Sequence, residues 1–485
     1  MTTTWAGLVQ RYFTVAVTHH PGYALAWDEF AIEPTPVAPA TLSEAYRSIS
    51  DQVDQMSGSA DDHQVRLLRW CLDGRRFELD TALSWRRDPQ FWVDRQCYGV
   101  LAQMAAGNLR DRPLPPSWVR AFLANLPGLF GSAMRNLDRE ECGQADVRRA
   151  VHHLAAGRRL VRQVGDAAGG GCADETARAD AAIDGFSAWL SRAIGPGRAM
   201  RPMGAQVWET GLRARTGIAC GPDELEHALR RRLDRSRREI ALTRAPVSGL
   251  VPGSADEIGK LIARLPDIFA PRFGGGECLD TLRLDVSDDA VPGVTSASYQ
   301  NAGSRGGGSA VVFVRPAVYA YRADLELDLA HECFPGHHWQ HTAQARGHHD
   351  HLLCLRHGNR AFVEGWGRWC EELYAAAAHD PSVTARFHAR MAKYCGQALA
   401  ALLVHARDRP FREVAEHLTA MEVCGSADAP SLVLSAYFDP WRATAPIVGY
   451  LALRKVAAER GEGEMEATVA QHGAVDLVGR GLSEE

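Results

Sequence analysis

Up to about residue 270, apolar side chains recur at i, i+3 and i+4, the spacing of one buried helical face. The stretches carrying it are Thr41–Met56, Asp61–Leu79, Pro89–Ala106, Ser117–Leu137, Val147–Ala167 and Asp174–Ile194. Loops rich in proline, glycine or aspartate divide them, at Asp111–Pro116 and Ala168–Gly171, and nothing repeats at a fixed period. Leu225, Leu229, Leu233 and Ile240 place an apolar stripe on a further helix, and Ser254 opens another, with Asp256 and Glu257 in its first turn. After Gly274–Gly276 the pattern changes. Thr281–Val286 alternates and Ala310–Val314 is a short apolar run, and both predict strands. Helical spacing returns in Leu325–Arg346, Asn359–Ala378, Val383–Arg407, Pro410–Cys424 and Ala443–Arg460. The predicted fold is mainly α (α+β), with a small sheet. Residues 1–270 are expected to form a helical region walling a channel. Residues 271–485 are expected to carry the chemistry, the two forming one compact unit.

Composition narrows this picture. With 485 residues, 46% of them apolar, the chain can bury a large core, and no apolar run is long enough to span a bilayer. The start, MTTTWAGLVQRYF, lacks a basic segment, and Gln10 and Arg11 interrupt its apolar stretch, so no secretory signal is expected. The 11 cysteines form no C-x-x-C pair, which suits reduced thiols. Both observations lead to the expectation of a cytoplasmic protein. A net charge of −5 argues against a nucleic-acid partner. The basic run Arg230–Arg238 is expected to be a solvated helix face in preference to a phosphate-binding patch.

The chemistry concentrates in HECFPGHH, residues 331–338. A His-Glu pair followed by a second His is what a zinc hydrolase uses: imidazoles hold the metal and the Glu takes a proton from a bound water. In the usual H-E-x-x-H spacing the second His falls at i+4. Here Pro335 occupies that position, and His337 and His338 fall at i+6 and i+7. On an ideal helix i+7 returns to the face of His331. Pro335 and Gly336 break that ideal, and a break can bring either histidine to the metal. The nearby HHDH run, His348–His351, is expected to be a solvated loop or a weak adventitious metal binder. In the next helix, Phe362, Val363, Trp366, Trp369, Cys370 and Leu373 form the apolar face. Glu364 near its start is either a third ligand or a first-turn glutamate favoured by the helix dipole. Glu371 lies seven residues on, on the same face. The stretch Tyr299–Gly308 reads either as a flexible hairpin loop or as an edge strand and loop against which a substrate backbone lies.

HECFPGHHWQ followed by AFVEGWGRWCEEL resembles a bacterial family catalogued as number 885 of the domains of unknown function, which is grouped with gluzincin-like metallopeptidases. His331, Glu332, Pro335, Gly336, His337 and Gln340 match its first motif. Phe362, Val363, Glu364, Gly365, Trp366 and Glu371 match its second, with Trp369 in a tyrosine position. The resemblance favours His337 over His338 as ligand and leaves His338 as the alternative. It implies a zincin-like fold with the sheet beside the active-site helix. The stretch Met203–Thr243 is similar to the family's helix, short loop and long second helix. A third signature departs from the family: in Ser435–Gly449, Pro440, Ala443 and Gly449 align, but an arginine, two tyrosines and a Gly-Gln are replaced. Tyr437, Arg442 and Tyr450 stand close enough in sequence to substitute as oxyanion stabilisers. Arg442 could equally grip a substrate carboxylate or lie at the surface.

The reading that results is a zinc metallohydrolase cleaving an amide or peptide bond. His331, His337 and Glu364 hold one Zn2+ per chain, Glu332 is the general base, Tyr437 and Arg442 assist, and Glu371 orients a ligand. Its substrate is a peptide or small molecule, with no nucleic acid and no membrane as partner. The alternative is a metal-dependent enzyme tailoring a small molecule in specialised metabolism. The third reading is a non-catalytic structural or binding protein.

Overall fold

A computed structural model of the chain describes residues 4–482 apart from 28, 57–61, 109–113, 139, 169, 194–199, 244–249, 275, 289–295, 301–309 and 347–358. The His348–His351 run and most of the Tyr299–Gly308 stretch therefore lie outside the described residues. By internal contacts the described residues divide into two units, one ending at Arg201 and one beginning at Pro202. Residues 202–270 thus group with the second half of the chain.

In the first unit the predicted helices form as Pro39–Met56, Asp62–Arg76, Pro116–Asn136, Gln144–Ala167 and Ala173–Ala193. A helix at Trp5–His19 joins them and buries Leu8, Tyr12, Phe13 and Ala16, the same i, i+4 logic at the chain start. The stretch expected as one helix over Pro89–Ala106 is instead interrupted. A widened turn at Asp94–Tyr98 ends with the Gly99 N–H reaching back to the Asp94 carbonyl. A Cβ at Gly99 would run into that carbonyl, so only glycine fits.

The second unit is built on long helices with one small sheet. Ser254 caps the helix Ala255–Phe273 through a reciprocal pair with Glu257, as the acidic first turn predicts. Strands β1 (Leu282–Val286), β2 (Ala297–Gln300) and β3 (Ala310–Val314) follow in the order β1-β3-β2, with β1 parallel and β2 antiparallel to β3. The central strand is β3, and it is buried at all five positions, which explains its unbroken apolar run. β2 is an edge strand and lies against the helix Arg322–Glu332. That helix and its successor, His337–Arg346, are two separate elements, with residues 333–336 between them and a cis peptide at Phe334–Pro335. The helix Arg360–Ala377 then packs on Pro440–Arg460 at backbone contact. A Cβ at Gly365 would meet the Gly449 backbone, and one at Gly449 would meet the Ala361 carbonyl. Trp366 stacks on Trp339, centroids 5.9 Å apart, and donates from Nε1 to the Pro335 carbonyl at 2.9 Å, pinning the interruption to the Glu364 helix. The protein is mainly helical with a small three-stranded sheet, of the α+β class.

Candidate metal centre

The interruption at residues 333–336 decides which histidine can join His331. The chain turns at Gly336, where a Cβ would strike the carbonyls of Ala330 and His331. His337, the first residue of the new helix, then lies with its ring 4.4 Å from that of His331 at 79°. Ligand atoms of His331, Glu332 and His337 all lie within 4.8 Å of one another. His338 points elsewhere. Its Nε2 lies 2.6 Å from the Cys278 carbonyl and its Nδ1 lies 3.4 Å from the Tyr299 hydroxyl. The carbonyl, an obligate acceptor, accepts a hydrogen bond from the His338 Nε2–H.

Two carboxylates of the helix Arg360–Ala377 flank His331. Glu371 Oε1 lies 3.1 Å from Nδ1, and Glu364 Oε2 lies 4.0 Å from Nε2. Glu371 is fully buried while the Glu364 side chain is 26% exposed, so the first suits a fixed orienting role and the second an accessible site. With Nδ1 turned to Glu371, the ring presents Nε2 toward Glu364 and His337. Gly367 makes room for this: a Cβ there would overlap the His331 imidazole.

A charged network holds Glu371. Burial pushes its carboxyl up, but the guanidiniums of Arg368 and Arg390 outweigh that and hold it low, at about 2. Arg368 pairs with Glu371 directly and lies over the Tyr394 ring, 4.1 Å from its centroid. Arg390 lies 3.7 Å from Glu371 and also pairs with Asp328, which accepts a hydrogen bond from Tyr319 at 2.6 Å. Two guanidiniums against two carboxylates balance the charge, the condition for burying ions.

The remaining site residues are set by β2. The Tyr299 N–H donates to Glu332 Oε2 at 2.8 Å, and its ring stacks on His341 at 5.5 Å. Burial pushes the Glu332 carboxyl up to about 7. Burial also drives the His337 imidazole well below its usual range, with His331, His341 and Arg368 adding to the shift. His337 is therefore neutral, and its buried Nδ1 has no hydrogen-bond partner among the described residues. An unpartnered neutral imidazole nitrogen beside a second imidazole and a carboxylate is a donor set that fits zinc.

Tyr437 and Arg442 are engaged differently. Tyr437 stacks on His405, centroids 5.3 Å apart, and its carbonyl accepts from His405 Nε2 at 2.9 Å. Arg442 is exposed at the start of its helix, with its N–H on Asp439 Oδ1 at 3.0 Å. Tyr450 donates to Glu372 at 2.8 Å. Sequence reasoning missed the roles of Tyr299, Gly367, Arg368 and Arg390. Of these, Gly367 and Arg368 lie inside the second motif, between Glu364 and Glu371, and Tyr299 opens the stretch Tyr299–Gly308. It also missed a cluster in the first unit. There His19 and His20 stack at 4.0 Å, and His20 Nε2 lies 3.3 Å from Glu78. Arg95 pairs with the same Glu78 carboxylate, so a cation already faces it.

The fold and site together define a large helical protein with a His-Glu-His cluster at a broken helix. No protein-family model matches the chain, and no curated protein does. Two solved structures share the fold over nearly their whole length. One is a "putative lipoprotein of unknown function" from Shewanella oneidensis, with a TM-score of 0.75 at 16% identity, covering 97% of this chain and 98% of that one. The other is a "putative lipoprotein" from Colwellia psychrerythraea, with a TM-score of 0.72 at 13% identity, covering 97% of each chain. These likenesses establish the fold. They also correct the expectation of a cytoplasmic protein. That expectation rested on the chain start and on cysteine spacing, and chains of this fold are described as lipoproteins. Among the described residues no helix is long and apolar enough to cross a membrane.

Proposed function

We propose that the protein is a zinc-dependent hydrolase of amide or peptide bonds, and a divergent relative of the gluzincin-like family its motifs resemble. The observation that carries this reading is the meeting of His331, Glu332 and His337 within 4.8 Å across a helix break, with Glu364 beside them. His331, His337 and Glu364 would hold the metal. Zinc bound there would supply a Lewis acid and lower the pKa of water to about 7. Glu332 accepts the proton of the attacking water and returns it to the leaving amine. The Tyr299 N–H engages one Glu332 oxygen, which orients the carboxylate for that transfer. Glu371 fixes the rotation of the His331 ring and is itself fixed by Arg368 and Arg390.

A second reading, a tailoring enzyme acting on a small-molecule amide, is favoured by one observation. Tyr437 and Arg442, the residues placed to replace the missing oxyanion donors, are engaged elsewhere or exposed.

The test is Glu332→Gln. Metal analysis should give about one zinc per chain in wild type and variant, while hydrolysis of a peptide and small-amide panel drops at least about 100-fold. Full turnover by the variant would exclude Glu332 as base. Absence of zinc from the wild-type protein after growth in zinc-supplemented medium would overturn the metal centre.

A further inference from the structure

The basic run Arg230–Arg238 does not lie wholly on a solvated face. The helix Pro222–Thr243 turns Ala228, Arg231, Arg232, Arg235 and Arg238 to one side, at spacings of three, four, seven and ten residues from Ala228. With Asp234 and Leu451 of the helix Pro440–Arg460 they line a cavity of about 250 Å³. Four arginine side chains and one aspartate thus line it. Arg232 is only 2% exposed. Its guanidinium sits 5.1 Å from the Tyr450 ring centroid and 5.8 Å from that of Phe387, and Tyr450 is anchored on Glu372. Arg231 Nε is buried with no hydrogen-bond partner among the described residues.

We propose that this cavity is a binding pocket for a small molecule carrying two or more negative charges, a phosphate ester or a polycarboxylate. A dianion in the cavity lies within reach of several guanidiniums at once and is attracted to each. The planar forks of Arg231 and Arg235 match the oxygen pairs of phosphate and carboxylate. Arg232, held between two aromatic rings, is oriented before the ligand arrives. A solvated helix face needs neither the concavity nor the burial of Arg232. His388 reports the same field: burial, then Arg232 and Arg235, push its imidazole down to about 4.

The experiment is calorimetric titration of the full chain with glycerol 3-phosphate and, separately, with tricarballylate, against sodium chloride at equal ionic strength. Both probes chelate zinc weakly, and metal content is measured before and after. Saturable binding of either probe is expected, and the stronger probe identifies the ligand class. Arg231→Gln/Arg235→Gln should weaken binding about tenfold or more. Arg238→Glu, at an exposed position that spares the fold, should weaken it in the same direction. Responses no larger than those to chloride, or binding unchanged in both variants, would overturn the pocket.

Discussion

Gly367 is the smallest residue in the site and one of the most constrained. Its Cα lies against the His331 ring, so a methyl group there must displace the imidazole. In an exposed helix, Gly→Ala would stabilise by roughly 0.5–1 kcal/mol. At this position the gain is set against a misplaced ligand. Gly367→Ala should therefore retain the helical circular dichroism of wild type yet bind zinc about 10–100-fold more weakly, the usual effect of disturbing a ligand's support. Competition with a chromophoric chelator measures this, and wild-type affinity would show that His331 is not a ligand. Glu371 makes the same point from the other side of the ring. Its charge survives burial because two guanidiniums face it, and it is that charge which turns His331 Nε2 toward Glu364.

Among the elements, the contact between the helices Arg360–Ala377 and Pro440–Arg460 matters most. They cross where Gly365 meets Gly449, with no side chain between the backbones. A side chain at residue 449 would meet the Ala361 backbone, so the crossing needs glycine there. It also couples the third signature to the helix bearing Glu364. Gly449→Val should push the two helices apart and cost about 1–3 kcal/mol from overpacking. Urea denaturation would show it as a lower midpoint, and an unchanged midpoint would mean that the crossing is looser than described. The broken helix at residues 333–336 is the second decisive element. Continuous geometry would have selected His338, whereas the interruption starts a new helix at His337 and turns His338 to the Cys278 carbonyl.

For the molecule as a whole, the response to acid follows from buried imidazoles away from the candidate metal centre. Burial pushes His405 down to about 4, partly offset by its bond to the Tyr437 carbonyl. The folded state therefore prefers neutral His405, while the unfolded chain takes up a proton near pH 6.5. The stabilising contribution is complete above pH 6.5 and is lost as pH falls from there toward 4, to a total of about 3 kcal/mol. His405→Phe keeps an aromatic ring against Tyr437 but cannot titrate. Wild type should lose about 3 kcal/mol more unfolding free energy than this variant between pH 7 and pH 4. Parallel pH profiles would show that His405 is not buried neutral.

The sequence by itself determined the helical class, the strands β1 and β3, the capped start at Ser254, and the residue types of the site. These are local properties: periodicity, capping and turn chemistry act over a few residues. The motif residues His331, Glu332, His337 and Glu364 were legible because their spacing matches a known pattern. The tertiary structure alone decided how they meet. It set the His337 ring beside that of His331 and turned His338 to the Cys278 carbonyl, put Glu371 on His331, and brought Arg390 from another helix to hold Glu371. It laid β2 so that Tyr299 engages Glu332, and closed part of a basic run into a cavity. Most of these pairs join groups tens of residues apart in the chain, and no local pattern encodes a distance in space. Whether Arg232 faces water or the Tyr450 ring depends on which helix packs beside it, and that is settled only when the whole core assembles.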